Sequence, residues 1–291
     1  MRVCLMLEGQ EGIEWEQWVA LARAAEDAGL EGLFRSDHYL SIFRGAPAGS
    51  LDAWTTLAAL AACTTRLRLG TMVSPVTFRP ASVLAKSAVT VDHVSGGRAE
   101  LGIGAGWYEA EHETYGFPFL TTRERLDELD RQLAEIHRQW AHGGDHWPKP
   151  VQRPRLPIIV GGTAKPRTVR AAIRFADEYN TPYGTVDEAR GRREILEQAA
   201  ETAGRDPLVF SMMTGCIVGR DGGEVRERLA RWRQITGDEG EPPLCGTLEQ
   251  VAERLGSYKA AGVERVMLQH LAHEDVDMVE LLGELVSALP G

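Results

Sequence analysis

SGGRAELGIGAGW, running from Ser95 to Trp107, decides how the rest of the chain is read. It has the form of a turn, a short strand and a glycine-rich exit that ends in tryptophan. Successive side chains of a strand point to opposite faces. Leu101 and Ile103 therefore share one face, and Glu100, Gly102 and Gly104 share the other. The first face is apolar enough to pack beneath helices. The second is bare apart from one carboxylate. A strand that gives up its side chains lets something approach its backbone. A flat ligand at the strand's end is one such visitor; a tight bulge or a close helix contact is the other.

Outward from this strand, apolar periodicity alternates between the strand and the helix pattern. Strand patterns cover Val3 to Leu7, Gly32 to Ser36, Leu67 to Val73, Ala99 to Gly104, Pro157 to Val160, Asp177 to Asn180, Leu208 to Val218 and Val263 to Gln269. Helical spacing covers Trp15 to Ala28, Leu51 to Cys63, Pro80 to His93, Thr121 to His142 and Pro166 to Phe175. It returns over Val186 to Ala203, Glu224 to Ile235, Leu248 to Ala261 and Val276 to Leu289. Gly29 is placed to close the first helix, and Thr121 or Thr122 to open the longest. Strands separated by helices pair in parallel, because such a crossover takes a dozen or more residues. About eight such units predict an α/β fold: a closed (β/α)8 TIM barrel over residues 1–291 as one domain, with irregular loops at its C-terminal face. The length of 291 residues suits a barrel, which takes roughly 250. An open doubly wound sheet is the alternative. No βα junction carries GxGxxG followed by an acidic residue at the ribose distance, so the dinucleotide fingerprint is missing.

Composition narrows the partners. Apolar content of 43% and charged content of 25% are ordinary for a globular chain. A net charge of −10 lacks the positive footprint that nucleic acid requires. The N-terminal apolar run is too short for a signal peptide, and Leu57 to Cys63 falls far below the roughly 18 residues of a membrane span. The expectation is a soluble cytoplasmic protein with a small-molecule substrate and neither a nucleic-acid nor a membrane partner. Cys4, Cys63, Cys216 and Cys245 are scattered, with no CxxC pair, and the histidines approach metal-ligand spacing only loosely, at His137 and His142. No protein-bound metal is expected.

A barrel places its chemistry where strands end and βα loops begin. The unusual residues gather there: Ser36-Asp37-His38, Met72-Val73-Ser74-Pro75, Gly104-Ala105-Gly106-Trp107, Gly161-Gly162-Thr163 and Tyr179-Asn180-Thr181. Two irregular stretches, Arg44 to Ser50 and Gly143 to Pro157, are candidate lids or rims. Gly161 and Gly162 offer bare amides to phosphate oxygens, and the helix after Lys165 adds its dipole, although a plain strand-to-helix turn has the same composition. Glu100 is expected as a structural ion-pair partner of Arg35.

Together these strand ends resemble the bacterial luciferase-like superfamily, most closely its branch that uses the deazaflavin coenzyme F420. The resemblance spans nearly the whole chain. It rests on SDH at Ser36–His38, GTMVSPVTFRPASVLAKSAVTVDHVSGGRAELGIGAGW at Gly70–Trp107, IIVGGT at Ile158–Thr163, RFADEYN at Arg174–Asn180 and GTLEQVAERL at Gly246–Leu255. It implies an oxidoreductase with a flat tricyclic cofactor across the barrel mouth, and a homodimer. Gly102 and Gly104 would leave room for the ring. A non-proline cis peptide is expected at Met72–Val73, backing its centre. The cofactor would be held by Asp37, His38, Met72, Val73, Gly104, Ala105, Gly106, Gly161, Gly162, Thr163, Asn180 and Thr181. His38 matches the position facing the reactive side of the ring, as catalytic proton carrier or as hydrogen-bond partner only. Asp37 belongs beside it, although a regular strand turns its side chain away to orient backbone or a neighbouring base. Trp107 either walls the substrate pocket or simply packs. Arg35, Arg44, Arg79, Lys165 and Arg167 are candidate cations for an acidic cofactor tail, or solvated surface charges.

One departure limits the resemblance. Its sugar-phosphate dehydrogenases carry a glutamate in the glycine-rich exit, where this chain has Gly104-Ala105-Gly106-Trp107. Glu109 and Glu111 follow a few residues later, on a loop or helix. Their paired acid–base mechanism therefore does not transfer. The expected activity is an F420-dependent hydride transfer between the deazaflavin C5 and a small organic substrate. The alternatives are an FMN-dependent luciferase-like monooxygenase and a non-catalytic cofactor-binding barrel.

Overall fold

A computed structural model describes residues 1–43 and 49–288. Its first half contains β1 (Arg2–Leu7), α1 (Trp15–Asp27), β2 (Gly32–Arg35), α2 (Ala53–Cys63), β3 (Arg68–Thr71), β4 (Ser74–Pro75), α3 (Ala81–Ser95), β5 (Ala99–Gly104), α4 (Glu109–Tyr115) and α5 (Thr122–Trp140). Its second half contains β6 (Ile158–Gly161), α6 (Pro166–Phe175), β7 (Glu178–Pro182), α7 (Val186–Thr202), β8 (Val209–Gly219), α8 (Gly222–Thr236), β9 (Leu244–Thr247), α9 (Leu248–Ala260), β10 (Arg265–His270) and α10 (Val276–Ala288). Local chemistry sets several boundaries. Thr121 opens α5 in a reciprocal capping box with Glu124. Gly29, at φ +79°, turns the chain out of α1 in a conformation that other residues resist.

The strands run in the order β10-β1-β2-β3-β5-β6-β7-β8, and β10 pairs in parallel with β8 through Arg265↔Ser211 to Gln269↔Gly215. That last ladder closes the barrel and excludes the open sheet. β4 continues β3 beyond Met72–Val73 and pairs with β5. β9 lies off the ring and pairs with the far half of β8. β9 and α4 are short elements that periodicity does not mark.

The two faces of the strands separate as alternation requires. Leu5, Leu33, Leu69, Leu101, Ile103 and Val160 pack outward beneath the helices. Cys4, Met6, Phe34, Met72, Ile159 and Met267 fill the barrel interior. Below them sits a charged layer. Arg265, 1% exposed, donates to Glu100 at 2.7 Å and to Glu178 at 3.0 Å, and Arg68 also pairs with Glu100. Burial opposes the Glu100 anion, but Arg265 and Arg68 outweigh it and hold the carboxyl well below its ordinary range.

Glu100 is structural as expected, but its partner is not Arg35. The Arg35 guanidinium donates instead to the Ser36 and Leu51 carbonyls, each at 3.0 Å, and lies 4.7 Å over the Trp18 ring. A second correction concerns Gly143 to Pro157. This segment joins α5 to β6, so it runs at the N-terminal ends of the strands, opposite the mouth. It is tied there by Val151 N to Asp92 at 2.6 Å and by Gln152 Nε2 to the Ala99 carbonyl at 2.7 Å. It is no lid. Of the other candidate lid, Arg44 to Ser50, residues 44–48 lie outside the described residues.

Candidate active site

The bare face of β5 is occupied by the chain itself. A Cβ on Gly102 would lie 1.9 Å from the Thr71 carbonyl oxygen, and one on Gly104 would lie 2.6 Å from Val73 Cγ2. One on Gly161, in β6, would lie 3.2 Å from Val73 Cγ1. These glycines make room for the Thr71–Met72–Val73 bulge and not directly for a ring. The Met72–Val73 peptide is cis, as the resemblance implies. The bulge then presents Met72 and Val73 to a cavity of about 550 Å³ at the C-terminal ends of the strands.

Most of the anticipated residues meet in this cavity. His38, Met72, Val73, Gly104, Ala105, Gly106, Trp107, Gly161, Gly162 and Asn180 all line it. Asn180 is held by its donation to Ser211 Oγ at 2.9 Å. Asp37, Thr163 and Thr181 are not among the lining residues. Asp37 is buried and accepts from Ser74 Oγ and Arg79, both at 2.6 Å. Thr181 is buried against Arg192, 2.6 Å away, and Thr163 is exposed.

The expectation that Gly162 offers a bare amide to phosphate needs correction. Gly162 N donates to the Asn180 carbonyl at 2.9 Å, and Ala164 N donates to Tyr179 Oη at 2.9 Å. These two amides are taken. Glycine is required at 162 because a Cβ would come within 2.6 Å of that same tyrosine oxygen. Nor do Arg35 and Arg79 serve a cofactor tail: both are held inside, Arg79 between Asp37 and Asp52. Arg167 pairs with Asp127. Lys165 is exposed at the start of α6, and Arg44 lies outside the described residues.

Two carboxylates that sequence reasoning did not place now define the site's charge. α4 turns Glu111 inward until it is 1% exposed. Its Oε1 lies 2.8 Å from His38 Nδ1, and its Oε2 accepts from the Tyr39 amide at 3.0 Å. The signal for α4 was present, with Glu109 and Glu111 in a first turn and Gly116 as a terminator, but seven residues carry no periodicity. Glu8, just past β1, is the second. It lines the cavity and accepts from Gln269 Nε2 at 2.6 Å and Gln10 Nε2 at 2.8 Å. Its position marks it only once β1 is known to end at the mouth.

The Glu111 contact decides the state of His38. Burial works against the imidazolium, but the hydrogen bond and charge of Glu111, reinforced by Glu8 and Asp37, prevail and raise its pKa above the ordinary value. A carboxylate at Nδ1 keeps the proton there and leaves Nε2 for a ligand. Trp107 stands edge-on to this ring at 5.8 Å and stacks on Tyr108 at 5.2 Å. Its side chain walls the cavity while 62% exposed. The residues present fit a flat ring system. Met72 and Val73 form an apolar bulge flanked by the side-chain-free Gly104 and Gly161, with an ionisable imidazole lining the same cavity.

Comparison with known proteins agrees with this geometry. The luciferase-like monooxygenase family matches residues 3–243. An uncharacterized protein of Mycobacterium tuberculosis is 33% identical over 225 residues, covering 72% of this chain and 74% of its own. An FMNH2-dependent dimethylsulfone monooxygenase of Pseudomonas putida is 26% identical, over 92% of this chain and 86% of its own. The fold is similar to that of an F420-dependent secondary alcohol dehydrogenase, solved with an F420–acetone adduct. The TM-score is 0.83 at 16% identity, covering 100% of this chain and 99% of that one.

Proposed function

This chain belongs to the luciferase-like monooxygenase family of oxidoreductases, and from that premise we propose that it is a coenzyme F420-dependent oxidoreductase acting on a small organic substrate. When bound, the deazaflavin supplies or takes up a hydride at C5. Met72 and Val73, on the bulge that Gly104 and Gly161 admit, would back its ring. The observation that carries the reading is the 2.8 Å contact between His38 Nδ1 and Glu111. Hydride arriving at a carbonyl carbon calls for a proton at the oxygen. His38, with its raised pKa, delivers that proton from Nε2; in the oxidative direction, Nε2 accepts it from an alcohol. Glu111 stabilises the charged ring and fixes its orientation, the part that an acid plays behind a catalytic histidine. The similarity to the F420-dependent alcohol dehydrogenase supports the choice of coenzyme.

A second reading, FMN-dependent monooxygenation, is favoured by the Pseudomonas putida relative. One titration separates the two: quenching of cofactor fluorescence by the purified protein, with F420 and with FMN. Micromolar F420 binding with much weaker FMN binding is expected, and the reverse order establishes the second reading. His38→Ala is expected to keep coenzyme binding and lose turnover by roughly 100-fold or more. Full turnover in that variant removes His38 from proton transfer.

A further inference from the structure

Away from the bulge, much of the cavity wall is apolar. Ile42 and Phe43 come from the segment after β2, Trp107 from the exit of β5, Pro182 and Tyr183 from the end of β7, and Met213 from β8. Among the described residues lining the cavity, none is a lysine or an arginine. The carboxylate there, Glu8, has each oxygen occupied by a glutamine amide. Tyr183 Oη in turn donates to Gln269 Oε1 at 2.8 Å, so the polar groups beside Glu8 are satisfied within the protein. An anion entering this space would lose its water and meet a like charge, and among the described lining residues the cation it could meet is the His38 ring, whose charge Glu111 already compensates. An uncharged body gains by covering the exposed Trp107 ring and the carbon around it.

We propose that the site selects an uncharged carbonyl or alcohol compound with an apolar, preferably aromatic, body, and rejects an anion of the same shape. This rests on the reading of His38 as the group that meets the substrate oxygen. Trp107 is then a specificity residue: it supplies wall area next to His38.

The test is a matched pair, acetophenone and 4-acetylbenzoate, titrated calorimetrically into the full chain without added coenzyme and again with saturating F420. Acetophenone is expected to bind at least about 30-fold more tightly in both series, a preference expected when a charge must be buried without a partner. Trp107→Ala is expected to weaken acetophenone roughly tenfold and leave the benzoate unchanged, because a buried aromatic contact is worth that much. Met213→Lys is expected to reverse the order by placing a cation in the wall. Equal affinities, or a preference for the benzoate in the unaltered chain, overturn the proposal. F420 binding without selectivity overturns it alone; selectivity without F420 binding overturns the coenzyme reading and leaves this one standing.

Discussion

Glu100 and Glu111 are both buried acids from the same stretch of chain, yet they occupy opposite ends of the barrel and do opposite work. Glu100 lies in the interior floor, where Arg265 and Arg68 hold it ionised. Glu111 lies at the mouth and faces a group whose charge can change, His38. The difference lies in the partner. Arginine stays protonated, so the floor is a fixed lattice of charge. Histidine titrates near neutrality, so the mouth can exchange a proton while its carboxylate stays in place.

The largest effect is expected at the floor. Glu100→Ala leaves Arg265 short of a buried partner and should cost about 3–4 kcal/mol, read from denaturant unfolding. A loss below about 1 kcal/mol would erase the contrast, since surface pairs already reach that value.

Two buried histidines at the C-terminal end of β10, with no carboxylate hydrogen-bonded to Nε2, sharpen the comparison. His270, at the end of β10, and His273 beyond it are buried with Nε2 unpartnered, and burial lowers their pKa values to about 4 and about 3. Folded pKa values below the unfolded value mean that the unfolded chain takes up these protons first. Stability should therefore fall as pH drops below about 6.5, by about 3 kcal/mol from His270 alone at pH 4. His270→Gln should flatten that slope in thermal unfolding measured between pH 7 and pH 4.

Glu111→Gln tests the mouth itself. Turnover should fall about 100-fold, equivalent to about 2.7 kcal/mol. The His38 pKa, followed by NMR titration, should drop toward or below its ordinary value. For His38 the sign is the reverse of that for His270. Its raised folded pKa contributes stability below the unfolded value, and this is lost as pH rises through the folded one. That increment should vanish in the variant. An unchanged His38 titration would break the pairing on which the contrast rests.

The smallest effect joins the two regions. Gly102→Ala pushes a methyl against the Thr71 carbonyl and should cost about 2 kcal/mol by overpacking. Because the bulge carries Met72 and Val73, cofactor quenching should weaken more than stability alone explains.

The sequence made much of this legible. The alternation Leu101–Ile103 against Glu100–Gly102–Gly104 placed each side chain on its proper face. SDH, the Met72–Val73 pair and GGT all arrived at the predicted end of the barrel. What failed had a common cause. Gly102 and Gly104 were read as space for a ligand because a glycine records that something approaches, not what. Arg35 was the expected partner of Glu100, but strand order and the inward face bring Arg265 and Arg68 to it instead. The segment Gly143–Pro157 was irregular in composition, but an irregular αβ connection falls on the face away from the mouth.

Element order, the inward and outward faces and the motif-bearing strand ends were therefore determined by the sequence itself, since periodicity and capping act within a few residues. Tertiary structure alone decided that β10 meets β8, that the bare face of β5 receives Thr71 and Val73, and that Glu111 stands behind His38. Each of these pairs residues remote in the chain. Their distance and charge complementarity exist only once the barrel has closed.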